Sequence, residues 1–100
     1  MVESVLTGKQ KRFLRSLGST MDPVVQIGKA GVVETVVDSA RDVLAARELI
    51  KVRVLQNSPA EPGTAIAELA EAVQAELVQV IGRNGLLFKP NPEKSKIELP

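Results

Sequence analysis

At 100 residues, with 44% hydrophobic residues and a formal net charge of +1, the chain has the material for one soluble globular domain over 1–100 and not for two. Cysteine and histidine are both absent, which excludes disulfides, thiolate chemistry, imidazole bases and the commonest zinc ligands. Phe13 and Phe88 are the only aromatics, so the core must be built from Val, Leu, Ile and Ala, and no run approaches the ~20 apolar residues of a membrane span.

Met1-Val2-Glu3-Ser4 carries an early acid and no apolar run, unlike a secretory signal, and a cytoplasmic monomer is expected. Thr7 is placed to cap a helix through about Leu17, with Leu6 before it and Phe13, Leu14 and Leu17 at helical spacing on one side. Lys9, Lys11, Arg12 and Arg15 form an acid-free cluster, the last three largely off the apolar stripe. They read equally as a solvated helix face or as contacts to a polyanion. Gly18-Ser19-Thr20 stops the helix, and Asp22-Pro23 leads into a strand over Val24 to Ile27.

That strand runs into Gly28-Lys29-Ala30-Gly31, and a second helix is expected to leave the loop directly. Both glycines permit positive φ and close backbone approach. One reading is a plain change of direction with a solvated lysine. The other is a phosphate site, in which Lys29 and the unpaired N–H groups of a helix N-terminus act together. Val32, Val33, Val36, Val37, Ala40, Val43 and Leu44 recur at helical intervals, opposite Glu34, Asp38, Arg41 and Asp42.

Glu48 to Leu55 alternates as a strand does, with Ile50, Val52 and Val54 on one face and Lys51 and Arg53 on the other. On their own those two cations fit an exposed sheet surface better than a binding one. Pro59, Pro62 and Gly63 mark a loop, followed by a third helix with Ile66, Leu69, Ala70 and Val73 inward and Glu68, Glu71 and Glu76 largely outward. Glu61, Glu68, Glu71 and Glu76 form a cation-free block that repels phosphate, which places this helix away from any nucleic acid. Leu77 to Arg83 and Leu86 to Lys89 flank Asn84-Gly85, which predicts a hairpin through a type I′ turn. Residues 91–100 are expected to be a partly mobile tail, with Ile97 and Leu99 docking its end.

The order is α-β-α-β-α-β-β. Helical crossovers favour parallel pairing and the hairpin is antiparallel, which predicts an α/β fold: a two-layer sandwich on a four-stranded mixed sheet.

Leu6-Thr7-Gly8-Lys9-Gln10-Lys11, Val25-Gln26-Ile27-Gly28-Lys29-Ala30-Gly31, Glu48-Leu49-Ile50-Lys51-Val52, Leu77-Val78-Gln79-Val80-Ile81-Gly82 and Lys96-Ile97-Glu98-Leu99-Pro100 together resemble the CRM domain family (chloroplast RNA splicing and ribosome maturation), in its bacterial stand-alone YhbY type. The resemblance spans nearly the whole chain. It implies a fold similar to the C-terminal domain of bacterial translation initiation factor three and an RNA-binding GxxG loop at Gly28 to Gly31. It also implies a role with precursors of the large ribosomal subunit. The GxxG device is comparable in use to the KH loop, although here it joins strand to helix. At Phe88-Lys89, where the family commonly has Tyr-Arg, the hydroxyl and the planar guanidinium are lost.

The leading expectation is a non-catalytic protein that grips structured ribosomal RNA by its backbone. Lys29 would meet a phosphate, Lys9, Lys11, Arg12 and Arg15 would extend the basic surface, and Lys51, Arg53, Arg83 and Lys89 would be further contacts. Scarce aromatics argue against base stacking over the sheet. An enzyme is disfavoured: Ala30 follows Lys29 where a P-loop needs Ser or Thr, no GxGxxG is present, and no cofactor or metal is expected. The alternative is a protein-interaction module of the translation machinery that uses the acidic third helix.

Overall fold

The computed structural model describes residues 6–91 and 97–100. Helix α1 spans Gly8–Gly18, β1 Val25–Ile27, α2 Glu34–Arg47, β2 Leu49–Val54, α3 Pro62–Val73, β3 Glu76–Ile81 and β4 Asn84–Phe88. The expected order and the four-stranded mixed sheet are both present. None of these helices is long and apolar enough to cross a membrane. Thr7 starts α1 with a capping box: its Oγ1 accepts from Gln10 N at 3.1 Å, and Gln10 Oε1 accepts from Thr7 N at 3.0 Å. The third helix is shorter than the sequence reading implies. It ends at Val73 on a left-handed Gln74, so Glu76 opens β3 instead of extending the helical acid face.

The sheet order is β1-β2-β4-β3, with β1 parallel to β2 and both β4 pairings antiparallel. The first helical crossover thus joins parallel neighbours, but the second does not, because β4 lies between β2 and β3. The burial pattern gives the reason. Gly85 to Phe88 are all buried and need neighbours on both edges, whereas Val80 and Ile81 of β3 are exposed and suit an edge.

Alternation along the strands feeds two cores. Ile50, Val52, Val54 and Leu87 pack with Ala40 and Leu44 of α2 and with Ile66, Leu69 and Val73 of α3. Leu49, Val78, Leu86 and Phe88 pack with Leu14 of α1, and Phe13, Met21, Ile97 and Leu99 lie against them. The expected two-layer sandwich is the sheet with α2 and α3; α1 adds a short third layer on the other face. Periodicity identifies the apolar side of a helix but not which side of a sheet receives it.

Two glycines set how closely the layers approach β4. A Cβ on Gly18 would meet Leu86 Cδ1 at 2.5 Å, and one on Gly85 would meet Ile66 Cδ1 and Cγ2 at 2.7 Å. Gly85 is therefore a packing residue within the strand, and the hairpin turn falls on Gly82-Arg83 instead of Asn84-Gly85, since Ile81 pairs with Asn84. Positive φ at Gly82 and not at Arg83 gives the primed turn with glycine in its first central position, a II′ and not an I′ geometry.

Glu48 changes helix into strand in one residue, at φ 65°, with its side chain fully buried. Its Oε2 accepts from Asn91 N at 2.7 Å and its Oε1 from Ile97 N at 3.1 Å, which ties the C-terminal segment to the α2–β2 junction. Gln10 Nε2 also donates to Pro100 O at 3.3 Å. Asn91 and 97–100 are thus held on the body, with Ile97 and Leu99 docked as expected, while 92–96 lie outside the described residues. An amide nitrogen cannot accept a bond, so Glu48→Gln should leave one of these backbone N–H groups without its oxygen and lower stability by about 1.5–3 kcal/mol. Urea unfolding tests this. An unchanged midpoint, with unchanged exchange protection of the Asn91 and Ile97 amides, would show that the carboxylate does not hold the segment.

Candidate nucleic-acid interface

Parallel pairing of Ile27 with Val54 brings the loop after β1 to the same end of the sheet as the end of β2. The pairing of Asn84 with both Arg53 and Ile81 brings the hairpin turn there too. At that end Gly31 N donates to Gly28 O at 2.9 Å, closing a β-turn with exposed Lys29 and Ala30 at its corners. Gly31 is required here. Its φ is 77° and a Cβ would lie 3.3 Å from Pro59 Cγ, whereas Gly28 has no positive φ and has room for a Cβ beside Leu55.

The helix does not leave this turn directly. Val32 and Val33 intervene, Val33 caps α2 without a side-chain bond, and Glu34 occupies the first helical turn. A phosphate at that N-terminus would meet a carboxylate. The cation of the turn is therefore Lys29 at an open corner, with the helix N–H groups set back from it.

On the α1 face of the sheet, Gln26, Arg53, Asn84 and Ile81 form one cross-strand row, and Lys51, Leu86 and Gln79 form the next. Cross-strand partners share a face, so Arg53 and Lys51 point to the side that α1 covers only in part. The C-terminal end of α1 supplies Arg15, Gly18 and Ser19 to the border of a groove of about 400 Å³, floored by Leu86 and flanked by Lys51, Gln79 and Asn84. No acid lines it. Lys11 lies one turn before Arg15 on the same flank of the helix, while Lys9 and Arg12 are exposed on its outer side.

Arg15, Lys51 and Arg53, with Lys11 behind them and Lys29 at the adjoining corner, are thus gathered at one end of one face. None of them pairs with a carboxylate among the described residues. Arg83 is used internally: Nη1 donates to Leu55 O at 3.2 Å and its carbonyl accepts from Val54 N at 2.7 Å, bracing the turn against β2. Lys89 sits at the opposite end of the sheet, where Nζ donates to Val73 O at 2.9 Å and caps α3. The exposed acids Glu34, Asp38, Asp42, Glu61, Glu68 and Glu71 lie on α2, on α3 or just before α3, on the other layer, and exposed Asp22 and Glu98, which do not belong to it, are not part of the groove lining. Gln26, Gln79, Ile81 and Asn84 join the face only through strand register. Gln79 within an apolar run is the one local signal that points to it.

Fold and site define a small α/β domain with one cation-bordered groove that no acid lines and, among the described residues, no cluster of metal-ligating side chains. Residues 6–89 match the CRS1 / YhbY (CRM) domain, and the chain belongs to that family. It is 44% identical over 96 residues to the Probable RNA-binding protein YqeI of Bacillus subtilis, covering 96% of this chain and 100% of that one. It is 35% identical over 97 residues to an RNA-binding protein of Haemophilus influenzae, covering 97% of each. The solution structure of SAV1595 from Staphylococcus aureus superposes with a TM-score of 0.73 at 47% identity, over 96% of this chain and 100% of that chain.

Proposed function

We propose that this chain is a non-catalytic RNA-binding protein that grips structured ribosomal RNA by its backbone, acting in the cytoplasm in assembly of the large ribosomal subunit. The observation that carries the reading is the gathering of Arg15, Lys51 and Arg53 at a groove that no acid lines, beside the exposed Lys29 turn. Cations without carboxylate partners can neutralise phosphates and release the counterions condensed on RNA, and a groove lined by no aromatic side chain does not favour stacked single strands. The relatives' names support RNA as the partner. Ribosomal RNA and the large subunit rest on the family resemblance alone. Exposed Glu61, Glu68 and Glu71 on the opposite layer also favour a basic protein as a second, simultaneous partner; a pull-down repeated after nuclease treatment separates direct from RNA-bridged association.

Lys29→Glu inverts charge at an exposed corner without touching either core, so it should weaken binding to structured RNA while the melting temperature stays put. Unchanged affinity would remove the turn from the interface. Gly31→Asp should weaken binding as well, with a loss of stability from its left-handed backbone of about 1–2 kcal/mol. In cells the protein should co-sediment with immature large-subunit particles on a low-salt gradient, and its loss should leave such precursors accumulating, most visibly in the cold. Finding it only on small-subunit particles, or free of RNA throughout, would overturn the assembly role.

A further inference from the structure

We infer that the groove between the C-terminal end of α1 and the open end of the sheet receives the base of one unstacked ribonucleotide, with the adjoining phosphate on Arg15 and Lys51; this rests on the RNA-binding reading above. At about 400 Å³ the groove lies within the ~300–1,000 Å³ of small-ligand sites, larger than a gap between surface side chains. Its floor is apolar, from Leu86 and Ile81, and Ile81 is 63% exposed, which leaves apolar surface for a partner to cover. Gln79 and Asn84 each carry a donor and an acceptor, as the hydrogen-bonding edge of a base requires. Asn84 Oδ1 is buried with no hydrogen-bond partner in the structure. Asn84 lines the groove, so this acceptor is available to a base amine that enters it.

The charges fit the same occupant. Arg15 and Lys51 border the groove, Arg53 follows Lys51 on the same face, and no carboxylate lines the site to repel a phosphate. The Arg15 guanidinium adds a flat cation that stacks on a base without an aromatic ring. Close approach of α1 makes the wall: with no Cβ on Gly18, the helix backbone lies directly on Leu86. Backbone gripping and a base pocket are compatible, since a duplex held by its phosphates presents an extruded nucleotide to a groove beside them.

The test is an NMR titration of the isotopically labelled full chain with the four ribonucleoside 5′-monophosphates, with ribose 5-phosphate and inorganic phosphate as controls. The nucleotides should shift the Ile81 and Leu86 methyls and the Gln79 and Asn84 side-chain amides, saturating on the order of millimolar, and the controls should not. Gln79→Leu, which keeps volume and removes the amide, should weaken nucleotide binding at least several-fold with the backbone spectrum otherwise retained. Equal shifts with ribose 5-phosphate, or nucleotide shifts confined to the Lys29 turn, would overturn the pocket. A gel-shift with a structured ribosomal RNA fragment runs in parallel. RNA binding without groove shifts would overturn the pocket and leave the RNA-binding reading standing, whereas no RNA binding would overturn both.

Discussion

Replacing Lys51 and Arg53 together by glutamine is expected to lower RNA affinity on the order of tenfold to a hundredfold at low salt and to flatten the salt dependence by about two in log–log slope. If Lys11, Arg15, Lys29, Lys51 and Arg53 each meet a phosphate of a duplex, the wild-type slope should be about −4 to −5, at roughly −0.9 per contact. Raising salt fourfold then weakens wild-type binding on the order of 10²–10³-fold, and the double variant far less. The variant should fold normally, since Lys51 is half-buried and Arg53 exposed, and neither belongs to a core. Sequence-scrambled duplexes of the same shape should compete almost as well as the original, because phosphate contacts set position and not sequence. A wild-type slope near zero would exclude backbone gripping. An unchanged slope in the double variant would move the interface off the sheet.

Gly85→Ala should be among the most damaging single-methyl additions available to this chain, lowering stability by about 1–3 kcal/mol through overpacking. For a domain of this size each kcal/mol lowers Tm by about 4–8 °C. The new Cβ would lie 2.7 Å from Ile66 Cγ2, a branch fixed next to the α3 backbone that cannot swing aside as a chain end does. Relief requires α3 to move off the sheet and open the core built on Ile50, Val52 and Leu87. Gly18→Ala is the control on the other face. Its Cβ meets the terminal methyls of Leu86, which have more freedom, and alanine recovers up to about 1 kcal/mol of helix propensity over glycine. Gly18→Ala should therefore be the milder of the two by thermal melting. The reverse ranking would mean that α3 packs on the sheet with slack that the distances do not suggest.

These two expectations are linked through β4. The strand sits between β2 and β3 and is squeezed by α3 on one side and by the end of α1 on the other. That packing fixes the register that sets Asn84 beside Arg53 and Leu86 beside Lys51. Loosening the core at Gly85 should therefore loosen the binding face as well, and RNA affinity should fall with Tm in a series of substitutions at that position.

The sequence by itself determined what depends on near neighbours in the chain. Helical spacing from Val36 to Leu44, alternation from Leu49 to Val54 and the Thr7 cap each report local geometry, and all three elements stand where those patterns put them. The family, carried by motifs in order along the chain, was equally legible. What only the tertiary structure decided is which elements meet. A cap or a period says nothing about which strand lies beside which, so the insertion of β4 between β2 and β3, and the side of the sheet taken by α1, follow from long-range burial. Gly85 shows why local reading fails there. Asn-Gly has the propensity of a turn, but the missing Cβ is consumed by Ile66, 19 positions earlier in the sequence, and the turn moves to Gly82. The cations follow the same rule: Lys51, Arg53 and Arg15 become one face because strand register and helix docking bring them together, while Arg83 and Lys89 are bound to carbonyl oxygens of other elements.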